Sequence, residues 1–309
     1  METVGDLLLD ASAELAAQLA VPIPGALSFA LGLPVPVRPG PALGQLDQPR
    51  GRTAMLAGPG VLRDRAVDGL REFAAAAHVG VANTWGAKGV FNWDSPHHLG
   101  TCGLQARDFE LLDFGALDLL WTVGLDPDES PRERYELGAR VVPIQPGDLA
   151  AFATQVARSS YPIEPPPLFE RVAAVAQPGY VDERFPRHPA RAVMEIKQRM
   201  APGGIVTAEP GPAGLWVART FPTDGPGTVI VPAVATPGIA VAVALAAARR
   251  GIPATAVATE PLDDTSRALV ELAEQLEAPV TVEVWGDAVD LSLTALLVEA
   301  AGPVVAWTT

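Results

Sequence analysis

Short apolar runs alternate with helix-length segments twice along this chain, and a proline-crowded stretch separates the two series. The first series holds TAMLAGPGV, VGVANTW, LDLLWTVG and ARVVPIQPG. The second holds GGIVTAE, ATAVATE, VTVEVWG and a terminal GPVVAWTT. Runs apolar on both alternating positions fit strands buried on both faces, which occur almost only in parallel sheets covered by helices. The expected fold class is therefore α/β, with two doubly wound parallel-sheet domains and right-handed crossovers.

Between the runs, helical spacing predicts helices over residues 6–19 (Asp6 as N-cap), 62–77, 192–200, 238–250 and 265–276. Residues 21–49 and 151–190 are rich in proline, which fixes φ and removes a backbone donor, so they read as an extended arm and a connector. The expected division is an N-terminal helix with its arm at 1–50, a first α/β domain at 51–150, the connector at 151–190 and a second α/β domain at 191–309.

Charge and composition exclude several classes. The 309 residues carry 22 Lys+Arg against 36 Asp+Glu, a formal net charge of −14. That balance argues against nucleic acid, whose phosphates need clustered cations, and against an anionic membrane surface. The longest apolar run, residues 238–248 (GIAVAVALAAA), is too short to span a bilayer. The first residues are acidic and lack the basic start of a secretory signal. Cys102 is the sole cysteine, so no intrachain disulfide and no cysteine cluster for a metal can form. A cytoplasmic protein is expected. Lysine occurs only at 88 and 197 while Arg, Ala, Pro and Gly abound, a pattern of GC-rich bacterial coding.

The order of blocks carries a family resemblance. GPGV, VGVANTWGAKGVFNWDSPHHLGTCG, LDLLWTVG and ARVVPIQPGD resemble the central domain of the thiamine-diphosphate (ThDP) enzymes related to acetolactate synthase and benzoylformate decarboxylase. GGIVTAEPGPAGLWVAR and VATEPLDDTSRALVELAEQLEAPVTVEVWGD are similar to that family's diphosphate-binding domain. VGDLLLDASAELAAQLAVPIPG resembles the opening of its pyrimidine-binding domain, which is otherwise vestigial here.

The family's ThDP signature opens with Gly-Asp-Gly and closes with Asn-Asn; this chain has Thr259-Glu260-Pro261 and Gly286-Asp287. The resemblance implies Glu209, Trp216, Gly238, Glu260 and Asp287 on the cofactor side, with Glu260 and Asp287 at the metal-ligand positions. It assigns no catalytic residue, because the family's activating glutamate has no counterpart here. Two carboxylates can hold Mg²⁺ through oxygen, or simply face solvent. Pro261, however, has no N–H to offer a diphosphate. The loop that covers the cofactor in relatives also looks deleted, since only residues 288–309 follow the signature.

The implied function is a degenerate relative that has lost autonomous ThDP catalysis and acts as a binding, regulatory or partner subunit. It would form a homo-oligomer or sit beside a second ThDP-enzyme-like chain. The isolated chain is expected to bind no cofactor; ThDP and Mg²⁺ would enter only if a partner completes the site. Two alternatives remain. One is a split ThDP lyase or transferase acting on a 2-oxo acid with a pyrimidine-domain partner chain. The other is an enzyme repurposing the old cleft.

Four further features are ambiguous. His97 and His98, beside Asp94 and near Cys102, resemble an acid–base or metal site, though adjacent side chains on an extended segment diverge. Lys88 could be a catalytic amine or a turn residue. The turn at Gly58 to Val61 could bind an anion at a helix start. Trp216, Trp285 and the 238–248 helix could line a face left apolar by the missing domain and covered by a partner or by the arm, or could be core.

Overall fold

The computed structural model describes residues 2–33 and 46–304. Three short helices open the chain: α1 (Val4–Leu7), α2 (Ala13–Gln18) and α3 (Gly25–Ala30). The first α/β unit follows as β1 (Thr53–Ala57), α4 (Gly60–Arg63), α5 (Val67–Ala77), β2 (Gly80–Thr84), β3 (His98–Cys102), α6 (Asp108–Leu111), β4 (Leu119–Val123), α7 (Arg132–Tyr135), β5 (Arg140–Ile144) and α8 (Leu149–Ala153). Helix α9 (Pro167–Tyr180) leads to the second unit. That unit comprises α10 (Pro189–Arg199), β6 (Ile205–Ala208), α11 (Pro212–Thr220), β7 (Val229–Ile230), α12 (Ile239–Ala248), β8 (Ala254–Thr259), α13 (Asp264–Gln275), β9 (Val280–Trp285) and α14 (Thr294–Ala301).

Both sheets are parallel throughout, as the apolar runs require. Their strand orders are β3-β2-β1-β4-β5 and β7-β6-β8-β9. Each order reverses once, between β1 and β4 and between β6 and β8. In open α/β sheets the crevice at such a reversal, outside the strands' carboxyl ends, is where ligands bind. No described helix is long and apolar enough to cross a membrane.

Several expectations need correction. Residues 6–19 are not one helix. Thr3 caps α1, its hydroxyl accepting the Asp6 N–H at 3.2 Å while Asp6 accepts the Thr3 N–H at 2.7 Å, so Asp6 is the third residue of a capping box. Ser12 then caps α2 in non-helical backbone, which breaks the run. The arm contains α3, and its residues 34–45 lie outside the described part. The 62–77 helix is split by Arg65, held at φ +52°. The connector contains a helix: its prolines start α9, where a missing N–H costs nothing. In the terminal run, Val304 makes a lone antiparallel bridge to Gln105, and residues 305–309 are outside the described part.

Of the readings open for Trp216, Trp285 and the 238–248 helix, the core reading holds. Trp216 and Trp285 are 0% and 1% exposed, and every residue of α12 is buried. A helix apolar all round must be enclosed. Here α12 packs on β6 and β8 and is covered by α1, α3 and α13. The arm's Ala26 and Leu27 share its core cluster, so the arm covers part of this helix, as the sequence reading allowed.

The two units meet across a buried polar seam. Arg219, at the end of α11, places Nη2 2.9 and 2.8 Å from the two carboxylate oxygens of Asp108 on α6. The side chains are 2% and 0% exposed. The same guanidinium donates to the Thr101 carbonyl and to Gln105 Oε1. Gln105 Nε2 in turn donates to the Leu297 carbonyl at 3.0 Å, and Trp85 Nε1 to the Val231 carbonyl at 3.0 Å. Gly89 (φ +89°) lets two loops touch backbone to backbone, since a Cβ there would lie 2.2 Å from the Gly225 carbonyl oxygen.

Removing one partner of a buried ion pair strands a charge in low dielectric. Arg219→Met is therefore expected to cost about 3–5 kcal/mol in urea denaturation. The double variant Asp108→Leu/Arg219→Met should recover most of that loss. Equal stability of Arg219→Met and the parent would refute the role given to this pair.

Candidate functional site

Of the five residues picked out by resemblance, Glu209 and Gly238 border the crevice between β6 and β8, and Glu260 and Asp287 lie beside it at the ends of β8 and β9. Glu209 follows β6, Glu260 follows β8, Asp287 follows β9, and Gly238 caps α12. Glu260 and the Gly286-Asp287 turn are in contact: the Glu260 N–H donates to the Trp285 carbonyl at 3.0 Å, and its carboxylate fills the space beside Gly286. Both Glu260 and Asp287 are exposed. Among the described residues, no three His, Cys, Asp or Glu side chains converge as a metal-binding group. Trp216 stands apart from the crevice, its Nε1 donating to Thr294 Oγ1 at 2.9 Å and its ring edge-on to His188.

The crevice's donors are already engaged. Glu209 Oε2 accepts the Thr259 N–H at 3.1 Å. Asp263, the N-cap of α13, accepts the Ser266 N–H at 2.9 Å and the Gly238 N–H at 3.3 Å. Ser266 Oγ lies 2.6 Å from Asp263 Oδ2 and 3.2 Å from Glu209 Oε1. Burial alone would raise the Asp263 pKa, but hydrogen bonds from Ser266 and from backbone N–H groups outweigh it and hold it low. Burial raises the Glu209 pKa above the usual carboxylate range, against the hydrogen bonds from Thr259 and Ser266.

A diphosphate does not fit this arrangement. It needs free backbone N–H groups and a metal. Here Thr259, Gly238 and Ser266 give theirs to carboxylates, and Pro261 has none. The surrounding side chains add negative charge.

The reversal between β1 and β4 is closed by backbone. Gly58 N–H donates to the Val123 carbonyl at 2.9 Å and Gly60 N–H to the Gly124 carbonyl at 2.8 Å. A Cβ on Gly60 would sit 2.7 Å from Gly124 Cα. The glycines of the Gly58–Val61 turn thus serve close packing, and its N–H groups are spent.

The remaining candidates separate. His97 Nδ1 lies 2.9 Å from the Val79 carbonyl, whereas His98 turns edge-on to Phe169. Burial, reinforced by the Lys88 charge, lowers His98 to about 4. Burial pushes the Cys102 thiol well up, away from thiolate chemistry. Lys88 is 7% exposed; burial, aided by Arg219, lowers its pKa to about 7, and Nζ reaches the Arg219 carbonyl at 3.4 Å. Glu129 was not singled out from the sequence. It too is 7% exposed, burial raises it to about 7, and it accepts the Gly86 N–H at 3.2 Å. Only Gly86 leaves room, since a Cβ there would lie 2.1 Å from Glu129 Oε1. A single Glu in an acidic loop (DPDES) carries no signal of burial.

Comparison with known proteins agrees with part of the resemblance. Residues 48–148 match the family model of the thiamine pyrophosphate enzyme central domain. A solved protein from Mycobacterium smegmatis, provisionally assigned as a thiamin diphosphate-dependent enzyme, is similar in fold: 17% identity, TM-score 0.56, over 75% of this chain and 50% of that one. The chain thus spans half the length of that structure. No curated protein matches.

The two buried groups predict a pH profile. Between about 4.5 and 7 the folded chain keeps the Glu129 proton that the unfolded chain has lost, so stability falls as pH rises. Between about 7 and 10.5 the unfolded chain holds the Lys88 proton that the folded one has lost, so stability rises with pH. Urea denaturation at pH 5, 7 and 9 should show Glu129→Gln flattening the acid limb and Lys88→Met the alkaline limb. An acid limb unchanged in Glu129→Gln would exclude that carboxyl as its source.

Proposed function

We propose that this relative of the thiamine pyrophosphate enzymes has given up ThDP catalysis and serves as a binding or partner protein. The central-domain match supports the relationship, and a shared fold does not by itself carry a shared reaction. One observation carries the reading: Glu209 and Asp263 take the N–H groups of Thr259, Gly238 and Ser266, the donors a diphosphate would need. A bound phosphate would have to break these hydrogen bonds and then sit among carboxylates. Pro261 removes one further donor at the position where the family has glycine.

Isothermal titration of the full chain with ThDP and Mg²⁺ is expected to give no binding heat, and the mixture should consume no 2-oxo acid. A micromolar Kd, about −8 kcal/mol, would overturn the reading.

A further inference from the structure

The two sheets end in four edge strands, β3, β5, β7 and β9. Three of them are closed to further pairing. β3 shifts register against β2 and is in contact with α9, where His98 lies edge-on to Phe169. β5 contains Pro143. β7 is two residues long and buried. Irregular register, a covering helix, a proline and brevity are the usual means by which an edge is kept from other chains. β9 has none of them. It runs for six residues in unbroken register with β8, without proline or lysine. Thr281 is exposed, and Val284 is 41% exposed.

The direction of the backbone groups follows from one hydrogen bond. The Trp285 carbonyl accepts the Glu260 N–H at 3.0 Å, so residue 285 bonds toward β8. Successive residues of a strand turn their N–H and C=O groups to opposite sides. Residues 281 and 283 therefore also bond toward β8, while Val280, Val282 and Val284 direct theirs away from the sheet. The Val280 N–H is spent on the Ala278 carbonyl at 2.7 Å. The Val282 and Val284 N–H groups have no partner among the described residues. The three valine side chains share one face, where Val280 and Val282 pack on the core that holds α12. On the other face Glu283, the strand's one charge, is paired with Arg199. No unpaired charge guards this edge.

We propose that β9 pairs antiparallel with β9 of a second copy of this chain across a two-fold axis, joining the two four-stranded sheets into one. Such a contact uses the same surface on both sides, so β9 must complement itself. Facing residues of an antiparallel pair lie on the same face, so the axis must pass where one residue meets its own copy. Centring on Glu283 would set two carboxylates opposite one another, which is unfavourable. Centring on Thr281 would bring Pro279 into the pairing. Centring on Val282 avoids both: Val282 meets its copy, Val280 meets Val284 and Thr281 meets Glu283. The free Val282 and Val284 N–H groups of each copy then donate to the Val282 and Val280 carbonyls of the other, and the apolar contacts are all valine. The inference concerns assembly and stands whether or not the crevice takes ThDP.

Light scattering of the full chain at micromolar concentration should give twice the mass of one chain. Val284→Lys places a charge on the exposed part of the edge, opposite Val280 of the other copy, and should return the mass of a single chain with unchanged circular dichroism. Val282→Cys tests the register. Facing residues of a hydrogen-bonded antiparallel pair have Cα atoms about 5.5 Å apart, within disulfide reach, so mild oxidation should crosslink this variant between chains. Val284→Cys should not crosslink, because the two copies of residue 284 would lie more than about 12 Å apart. Cys102 is buried and does not compete. A parent of single-chain mass, a dimer that survives Val284→Lys, or crosslinking at 284 in preference to 282 would overturn the proposal. So would a parent that dimerises only once residues 305–309 are removed, which would assign the edge to the chain's own terminus.

Discussion

The Arg219 guanidinium, buried against Asp108, sets the relation of the two sheets. A charge without water needs its protons placed, and Thr101, Gln105 and Asp108 of one unit place those of the two terminal guanidinium nitrogens of Arg219 from the other, while the Arg219 Nε–H alone finds no partner. Arg219 ends the helix that begins just beyond Glu209, so the ion pair anchors the far end of α11, whose near end borders the carboxylate crevice. The Trp85 to Val231 hydrogen bond and the Gly89 to Gly225 approach add direction where apolar packing alone has little. A continuous apolar core then runs from the N-terminal helices through α12 into both sheets.

The strands of this fold were legible where burial on both faces left an uninterrupted apolar run. Helix α12 was legible because it is apolar all round. Its environment was not: periodicity shows that a helix is enclosed without showing by what, and the enclosing elements are α1 and α3 of the same chain. Helix α9 was hidden because prolines at its start and in its last turn look the same in sequence as prolines in an extended connector. Strand β3 was hidden because Gly100 interrupts a short run that opens on a polar histidine. At the crevice, Glu209, Gly238, Glu260 and Asp287 could be located by their place in a motif. The roles of Asp263 and Ser266 could not, since an N-cap aspartate reads as a helix start and nothing more. Arg219 and Asp108 lie in segments that meet only after both units have folded, so no local spacing marks them.

A doubly wound sheet exposes backbone N–H groups wherever its strand order reverses. In a ligand-binding member the ligand satisfies some of those groups, and without it the fold carries an unmet cost. This chain meets the cost internally at both reversals. In the first sheet, the Val123 and Gly124 carbonyls take the N–H groups of Gly58 and Gly60, with glycine permitting the approach. In the second, Glu209 and Asp263 take those of Thr259, Gly238 and Ser266. The cis Glu260–Pro261 bond lies in the same turn, where proline has no donor left to satisfy. A carboxylate at such a position does for the resting fold what a bound anion does elsewhere. The crevice geometry of the fold is thereby kept with these backbone donors satisfied inside the chain.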